Sequence, residues 1–285
     1  MPQPLTRKIS LTDLRSARTS GSKIAMLTCY DYTTATLMQR AGVPALLVGD
    51  SAANVILGHD STLPVSLDFM IAITAAVRRG APLAFLVGDM PFGSYQASTE
   101  QGVLNVFRMV KESGCDCVKL EVADAHAGLI TRLADAGVAV MAHIGLRPQA
   151  VGVLGGYRFQ GRTADEAEEV VKLAEQMQAA GASAILLEAV PPEVAKAVVE
   201  RVTLPVIGCG AGPDCDGHVV VTHDMLGLTP RAPRFVPRIA DMAPPLLAAF
   251  AAYAESVASG QYPQPVHAYE MPAEEKLKFA HRMKS

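Results

Sequence analysis

Short apolar runs recur along the chain, and four of them end at an acidic residue: 45–50, 83–89, 115–121 and 182–188. Each run is mostly apolar up to its last positions, as a strand that is buried on both faces requires. The stretches between the runs carry apolar residues three and four positions apart, which is typical of helices. We expect each run to be a strand that carries its acid to the strand's C-terminal end.

The complete pattern predicts a closed (β/α)8 barrel, a TIM barrel, because strand-like runs alternate with helical ones. An open doubly wound sheet is the alternative, but its Gly-x-Gly-x-x-Gly fingerprint is absent after strand one. We expect a single barrel domain over 1–285, with a helical segment at about 7–18 and a terminal helix and tail at about 244–285. The N-terminal segment closes the lower end of the barrel or covers a neighbouring subunit. The predicted strands are 24–28, 45–50, 83–89, 115–121, 138–143, 182–188, 204–208 and 219–222, and a glycine-rich loop is predicted over 144–162.

Composition narrows the possible functions. The 285 residues are 50% hydrophobic and 19% charged, as in a compact globular protein. A net charge of −3 without a basic cluster gives no case for binding nucleic acid or an acidic membrane. No run is long enough to span a bilayer and no signal peptide is recognisable, so we expect a cytoplasmic protein. The five cysteines are predicted to be reduced core residues, with Cys115 and Cys117 on one face of strand four.

Three of the acids are candidates for a metal site. Asp50 and Asp89 each follow a glycine at the end of an apolar run, and Glu121 ends a third run. In a barrel the C-terminal strand ends meet at one mouth, where carboxylates with water and substrate oxygens suit Mg²⁺. Each aspartate alone could instead cap the helix that follows it. The repeated ending favours Mg²⁺ at Asp50 and Asp89, with Glu121 bound directly or through water.

Three further residues carry candidate chemistry. Lys119 lies two positions before Glu121, so it faces either a substrate carboxylate or the acids in an inert ion pair. Glu188 is not needed for the metal, which makes it the candidate general base, since burial raises the pKa of a carboxyl group. Its alternative role is to cap the next helix. His143 ends strand five and either donates a hydrogen bond to substrate or is a packing residue.

These residues stand in motifs that resemble the ketopantoate hydroxymethyltransferase family. The likeness runs from about residue 8 to 265 in the family's order. Its most specific part is Gly58-His-Asp-Ser-Thr-Leu-Pro-Val65 followed by Asp89-Met-Pro-Phe92. The chain departs from the family at Ser51-Ala-Ala-Asn54, often Ser-Leu-Gly-Met, and at His218, often glutamine. The other matching segments are Tyr30-Asp-Tyr32, Val48-Gly-Asp-Ser51, Val118-Lys-Leu-Glu121, His143-Ile-Gly-Leu146, Gly155-Gly-Tyr157, Glu188-Ala-Val-Pro191, Gly210-Ala-Gly212 and Cys215-Asp-Gly217.

The resemblance implies a (β/α)8 enzyme of the phosphoenolpyruvate/pyruvate type in pantothenate and coenzyme A biosynthesis. Such an enzyme transfers a hydroxymethyl group from 5,10-methylenetetrahydrofolate to 3-methyl-2-oxobutanoate through a Mg²⁺-stabilised enolate, giving 2-dehydropantoate. The family's enzymes are homo-oligomers, typically decamers. The implied roles are a metal set of Asp50, Asp89 and Glu121, a keto-acid set of Asp50, Ser51, Asp89 and Lys119, and Glu188 as the proton acceptor.

Two rival functions stay open from the sequence. Another Mg²⁺-dependent, enolate-forming carbon–carbon lyase of the same barrel superfamily would use the same acids without a folate pocket. A non-catalytic barrel that only binds a ligand would lack members of the acid set, and none is missing.

Overall fold

Eight parallel strands close into a barrel in chain order, so the predicted (β/α)8 fold is confirmed. The structure is a computed structural model that describes residues 3–154, 156 and 158–284. Its strands are β1 (Ile24–Thr28), β2 (Ala45–Val48), β3 (Phe85–Asp89), β4 (Cys117–Glu121), β5 (Val140–Gly145), β6 (Ala184–Glu188), β7 (Val206–Cys209) and β8 (Gly217–Val220).

Four helices of the barrel begin where a side chain satisfies one of the first backbone N–H groups. Asp31, Ser66, Ser98 and Thr163 each accept a hydrogen bond from the backbone three residues further on. Gly114 ends α5 with a positive φ of 71°, where other residues are strained. The helices are α1 (Leu11–Ser20), α2 (Tyr32–Arg40), α3 (Ala52–Val55), α4 (Leu67–Gly80), α5 (Thr99–Ser113), α6 (Ala127–Asp135), α7 (Val151–Leu154), α8 (Ala164–Ala179), α9 (Pro192–Arg201), α10 (Thr222–Met225), α11 (Ala243–Ala258) and α12 (Ala273–Arg282).

The interior of the barrel changes from apolar to polar along each strand. Alternate residues of a strand point to the same face. Val87 in β3 and Cys117 in β4 lie in the inner apolar cluster. Two residues further along, Asp89 and Lys119 therefore also point inward, and Glu121 follows Lys119 at the next inner position. The chemistry-bearing side chains thus gather at the mouth, the end of the barrel where the strands finish.

The N-terminal helix α1 closes the other end of the barrel. Leu14 is only 2% exposed and packs in the inner cluster with residues near the strand starts, among them Ile24 and Phe85. Arg18 fixes the end of α1 through a salt bridge to Asp216, which also accepts a hydrogen bond from the backbone of β7. The structure therefore shows the first of the two predicted roles of this segment, which is to close the lower end of the barrel.

Several local predictions were wrong. Cys115 and Cys117 do not share a face, because Cys115 precedes β4 and packs outside the barrel. The predicted loop 144–162 contains the end of β5 and helix α7. Within it, Gly155 and Tyr157 lie outside the described residues. The start of β8 lies at Gly217, two residues before the predicted one, since pairing with β1 starts there.

The chain divides into two compact units, Met1–Ile239 and Ala240–Ser285. The first unit holds the barrel. The second contains α11, as expected, and also α12, in a tail for which no helix was predicted. The single domain over 1–285 that the sequence suggested stays a prediction.

In the described part of the chain, no helix has the length and apolar character needed to cross a membrane. The large apolar side chains that α11 exposes are Leu246, Leu247, Phe250, Tyr253 and Val257.

Candidate active site

Strand pairing brings the predicted site residues side by side at the mouth. Asp89 pairs with Lys119 across β3 and β4, and Glu121 pairs with His143 across β4 and β5. Glu188 ends β6 and pairs with Gly145 of β5, two residues after His143. Since paired residues of parallel neighbours point to the same face, residues far apart in sequence converge here.

The centre of the site is a buried salt bridge beside Asp50. Lys119 Nζ donates to Asp89 Oδ2 at 2.8 Å, and the backbone N–H of Asp50 donates to the same oxygen at 3.0 Å. Asp89 is 0% exposed and Lys119 is 4% exposed. The interior position predicted for Lys119 required an anion, and Asp89 provides it. Asp89 therefore holds its neighbours at the mouth and does not cap a helix.

Glu121 and Asp50 are both held by Gln149, which lies in the segment after β5. The backbone N–H of Gln149 donates to Glu121 Oε2 at 3.0 Å. Its side-chain amide donates to Asp50 Oδ2 at 2.9 Å and to the Met90 carbonyl at 3.0 Å. Sequence reasoning missed Gln149, because it treated 144–162 as a loop. The one available signal is its place just after the His143-Ile-Gly-Leu motif.

Two acids at the mouth each have one buried oxygen that is available to a ligand. In the described chain, buried Asp89 Oδ1 and Glu121 Oε1 have no hydrogen-bond partner. Burial raises the pKa of Glu121 to about 9 and also raises that of Asp89, both against the attraction of Lys119. Bare carboxylate oxygens are the ligands that Mg²⁺ prefers.

The acids alone do not form a finished metal site. No three His, Cys, Asp or Glu side chains of the described residues surround one point as a ligand group. Mg²⁺ usually keeps several waters and binds through one or two carboxylates together with substrate oxygens. The residues present therefore fit Mg²⁺ in combination with water or substrate oxygens.

His143 is a neutral link between Lys119 and Glu188. Burial and the nearby Lys119 hold the pKa of His143 well below its usual value. Lys119 Nζ lies 3.3 Å from His143 Nδ1, and an ammonium group can only donate, so Nδ1 accepts and Nε2 carries the proton. Nε2 lies 3.1 Å from Glu188 Oε2, although not in full hydrogen-bond geometry. Burial disfavours the charge on Lys119, but Asp89 and two neighbouring carboxylates raise its pKa above the usual value.

Glu188 has the properties of a proton acceptor. Its side chain is 18% exposed, so a ligand in the mouth can reach it. Burial raises its pKa to about 7, with Lys119 opposing the shift. In the described chain no side chain caps the first turn of α9, so Glu188 does not have its alternative role as the cap of that helix. A carboxyl group that is half ionised near neutral pH suits proton transfer.

Ser51 presents a hydroxyl group beside Asp50. Its Oγ lies 2.8 Å from the hydroxyl oxygen of the buried Tyr30. Gly49 makes room for it, because a Cβ there would lie 2.8 Å from Ser51 Oγ. Gly88 has a different role: a Cβ on it would meet Met109 Sδ of α5 at 3.1 Å. The repeated Gly-Asp ending therefore reflects two separate close approaches.

The fold and the mouth define the class of protein, a (β/α)8 barrel whose strands deliver a cluster of acidic side chains to one end. The chain is similar to a phosphonopyruvate hydrolase solved with oxalate and Mg²⁺, at 15% identity and a TM-score of 0.60, with 96% of each chain covered. It is also similar to 2,3-dimethylmalate lyase, itself a member of the PEP mutase/isocitrate lyase superfamily, at 17% identity and a TM-score of 0.58, covering 96% and 98% of the two chains. At these identities the likeness shows the fold alone.

Sequence comparison identifies the family. A profile described as ketopantoate hydroxymethyltransferase matches residues 8–265. The chain is 46% identical to 3-methyl-2-oxobutanoate hydroxymethyltransferase of Thermobifida fusca over 263 residues, 92% of this chain and 94% of the relative. It is 47% identical to the Geobacillus kaustophilus enzyme of the same name over 265 residues, 93% and 95% of the two. The chain belongs to the ketopantoate hydroxymethyltransferase family.

Proposed function

We propose that this protein transfers a hydroxymethyl group from 5,10-methylenetetrahydrofolate to 3-methyl-2-oxobutanoate and forms 2-dehydropantoate. One observation carries the proposal: two features needed for the reaction lie at the same mouth. They are buried acids with unpartnered oxygens and a separate Glu188 whose pKa is raised to about 7. Membership of the family supplies the substrates. The reaction consumes one water, which provides the new hydroxyl group, and releases tetrahydrofolate.

Glu188 takes the proton from C3 of the keto acid. The electron pair of that C–H bond then forms the new carbon–carbon bond to the one-carbon unit, and the two C–N bonds that hold this unit to the folate break. Water supplies the hydroxyl group, and the proton from C3 and one proton from water end on the two folate nitrogens. His143 is neutral, and its Nε2 proton faces Glu188. It therefore does not protonate the Glu188 carboxylate as a charged imidazolium would. The exposed part of Glu188 faces the open mouth, where the C3 carbon has to lie within hydrogen-bond reach of the carboxylate.

Ser51 and Lys119 hold and orient the keto acid. The Ser51 hydroxyl lies at the mouth, and the Lys119 ammonium, already beside Asp89, offers positive charge to a carboxylate. Asp50, Asp89 and Glu121 would hold Mg²⁺ there. When bound, Mg²⁺ supplies a Lewis acid that draws electron density from the keto acid's oxygens.

Hydrogen exchange at C3 tests the proposal. The wild-type protein is incubated with 3-deuterated 3-methyl-2-oxobutanoate, with and without Mg²⁺, and loss of deuterium is followed by NMR. We expect Mg²⁺-dependent exchange without folate and 2-dehydropantoate only when 5,10-methylenetetrahydrofolate is added. Absence of both would refute the proposal. Exchange or cleavage without any folate-dependent product would instead favour a carbon–carbon lyase.

Two further expectations complete the proposal. We propose a homo-oligomer, a decamer as in the family, because the exposed apolar side chains of α11 suit a subunit interface. Light scattering should then give about ten times the chain mass of 30.1 kDa. We also propose a cytoplasmic location, supported by free cysteines at Cys29, Cys115, Cys117, Cys209 and Cys215, as in a reducing compartment.

A further inference from the structure

Gln149 makes more contacts to the site than any role in the reaction accounts for. It is 7% exposed, and the hydrogen-bonding capacity of its side-chain amide is fully used. Its Nε2 donates to Asp50 Oδ2 and to the Met90 carbonyl, and its Oε1 accepts from Tyr95 and from Gln96. One side chain therefore links the segments that follow β2, β3 and β5.

The direction in which this amide points is determined by its surroundings. The backbone N–H of Gly93 donates to Gln96 Oε1 at 2.7 Å, which leaves Gln96 Nε2 to donate to Gln149 Oε1 at 3.1 Å. A backbone N–H cannot act as an acceptor, so the Gln96 amide cannot be reversed without losing a bond. Gln149 Nε2 is consequently fixed on the side of Asp50.

We propose that Gln149 is a positioning residue for the cation site. Its amide occupies Asp50 Oδ2 and its backbone N–H occupies Glu121 Oε2. Each acid is thereby turned so that its other oxygen is free of Gln149. Outer groups that orient metal ligands in this way affect metal affinity strongly. The inference rests on the proposed function, since it concerns the same Mg²⁺ site.

The first test is Gln149→Met, which keeps the length of the side chain and the backbone N–H to Glu121. It removes the donor to Asp50. We expect the affinity for Mg²⁺, measured by calorimetry on the protein without substrate, to fall about tenfold. The rise in melting temperature that Mg²⁺ causes in the wild type should shrink in parallel, because that rise depends on the dissociation constant.

A second variant, Gln96→Met, keeps the experiment decisive if Gln149→Met fails to fold. Gln96 is exposed and touches no acid, so its replacement should leave the fold intact. Loss of its donor leaves the Tyr95 hydroxyl to hold Gln149 Oε1, so the Gln149 amide is positioned less firmly against Asp50 and we expect Mg²⁺ affinity to fall severalfold. Gln178→Met is the matched control, because the side-chain oxygen of Gln178 accepts hydrogen bonds from Thr203, away from the site. Its Mg²⁺ affinity should equal that of the wild type.

The outcomes separate the inference from the proposed function. If folded Gln149→Met and Gln96→Met bind Mg²⁺ as the wild type does, Gln149 does not position the acids, even if melting temperatures fall. If Gln149→Met does not fold, the affinity of Gln96→Met alone decides in the same way. A wild type that binds Mg²⁺ but shows neither C3 exchange nor folate-dependent product refutes the proposed function and leaves the positioning role standing.

Discussion

Replacing Glu188 with glutamine should remove the proposed proton acceptor while leaving the rest of the site in place. The two side chains have nearly the same shape. In the described chain Glu188 makes no salt bridge to Lys119, and its Oε2 lies 3.1 Å from His143 Nε2. Glu188→Gln is therefore expected to fold normally and to bind Mg²⁺ and the keto acid much as the wild type does.

The structure sets the size and pH dependence of the effect. A positioned general base contributes about 10²- to 10⁴-fold, so turnover should fall at least about a hundredfold. The side chain is 18% exposed, so water can act as a weak replacement base and activity should not vanish. Burial raises the pKa of Glu188 to about 7, which means that the ionised form is lost as pH falls below 7. Wild-type exchange should then drop about tenfold per pH unit, whereas the variant should lack this step.

The assay is deuterium loss from C3 at saturating Mg²⁺ and keto acid, between about pH 5.5 and pH 8.5. Glu193→Gln is the matched control, because Glu193 lies in the first turn of α9 and is exposed. It should exchange at the wild-type rate with the wild-type pH profile. Exchange by Glu188→Gln at the wild-type rate would remove Glu188 from its proposed role.

Three other substitutions test the remaining parts of the structure. Asp89→Asn takes the carboxylate from Lys119 and from the cation, so Mg²⁺ affinity measured by calorimetry should fall at least about tenfold; unchanged affinity would contradict the assignment. Leu14→Ala should lower the free energy of unfolding by about 2–4 kcal/mol in urea titrations while kcat stays near the wild-type value, since Leu14 fills the end of the barrel opposite the mouth. Gly145→Ala should lower the free energy of unfolding by about 1–3 kcal/mol and should also lower turnover. Gly145 has a φ of 89°, and a Cβ there would lie 2.3 Å from the Glu188 carbonyl oxygen. A stable and fully active variant would show that the backbone adjusts freely.

The fold was predictable because its strands are short apolar runs, and the segments between them have the three- and four-residue spacing of helices. The strands β1 and β2 match the predicted runs closely, and β3, β4 and β6 end at the predicted acid. Predictions failed where pairing partners decide the boundary. The residue Gly217 begins β8 because it pairs with Ile24 on one side and Ile207 on the other, and at Cys115 the sequence cannot show that the strand begins two residues later.

The site was predictable only in part, for a similar reason. Acids that end apolar runs are visible in the sequence, and Asp50, Asp89, Glu121 and Glu188 do lie at one mouth. The donors that orient them come from segments without a periodic pattern. Gln149 is marked in the sequence by no more than its place after the His143-Ile-Gly-Leu motif, and its contacts to Asp50 and Met90 appear only once the barrel has closed.

The charge balance at the mouth gives a physical reason for the combination of acids with a single lysine. Asp50, Asp89 and Glu121 together carry three negative charges when ionised, and Lys119 carries one positive charge, which leaves an excess of two negative charges among them. His143 is neutral, so it does not reduce this excess. Buried charge without a partner is unfavourable, and the raised pKa of Glu121, about 9, reflects that cost. A divalent cation balances the excess, whereas a second lysine in place of His143 would remove much of the need for one.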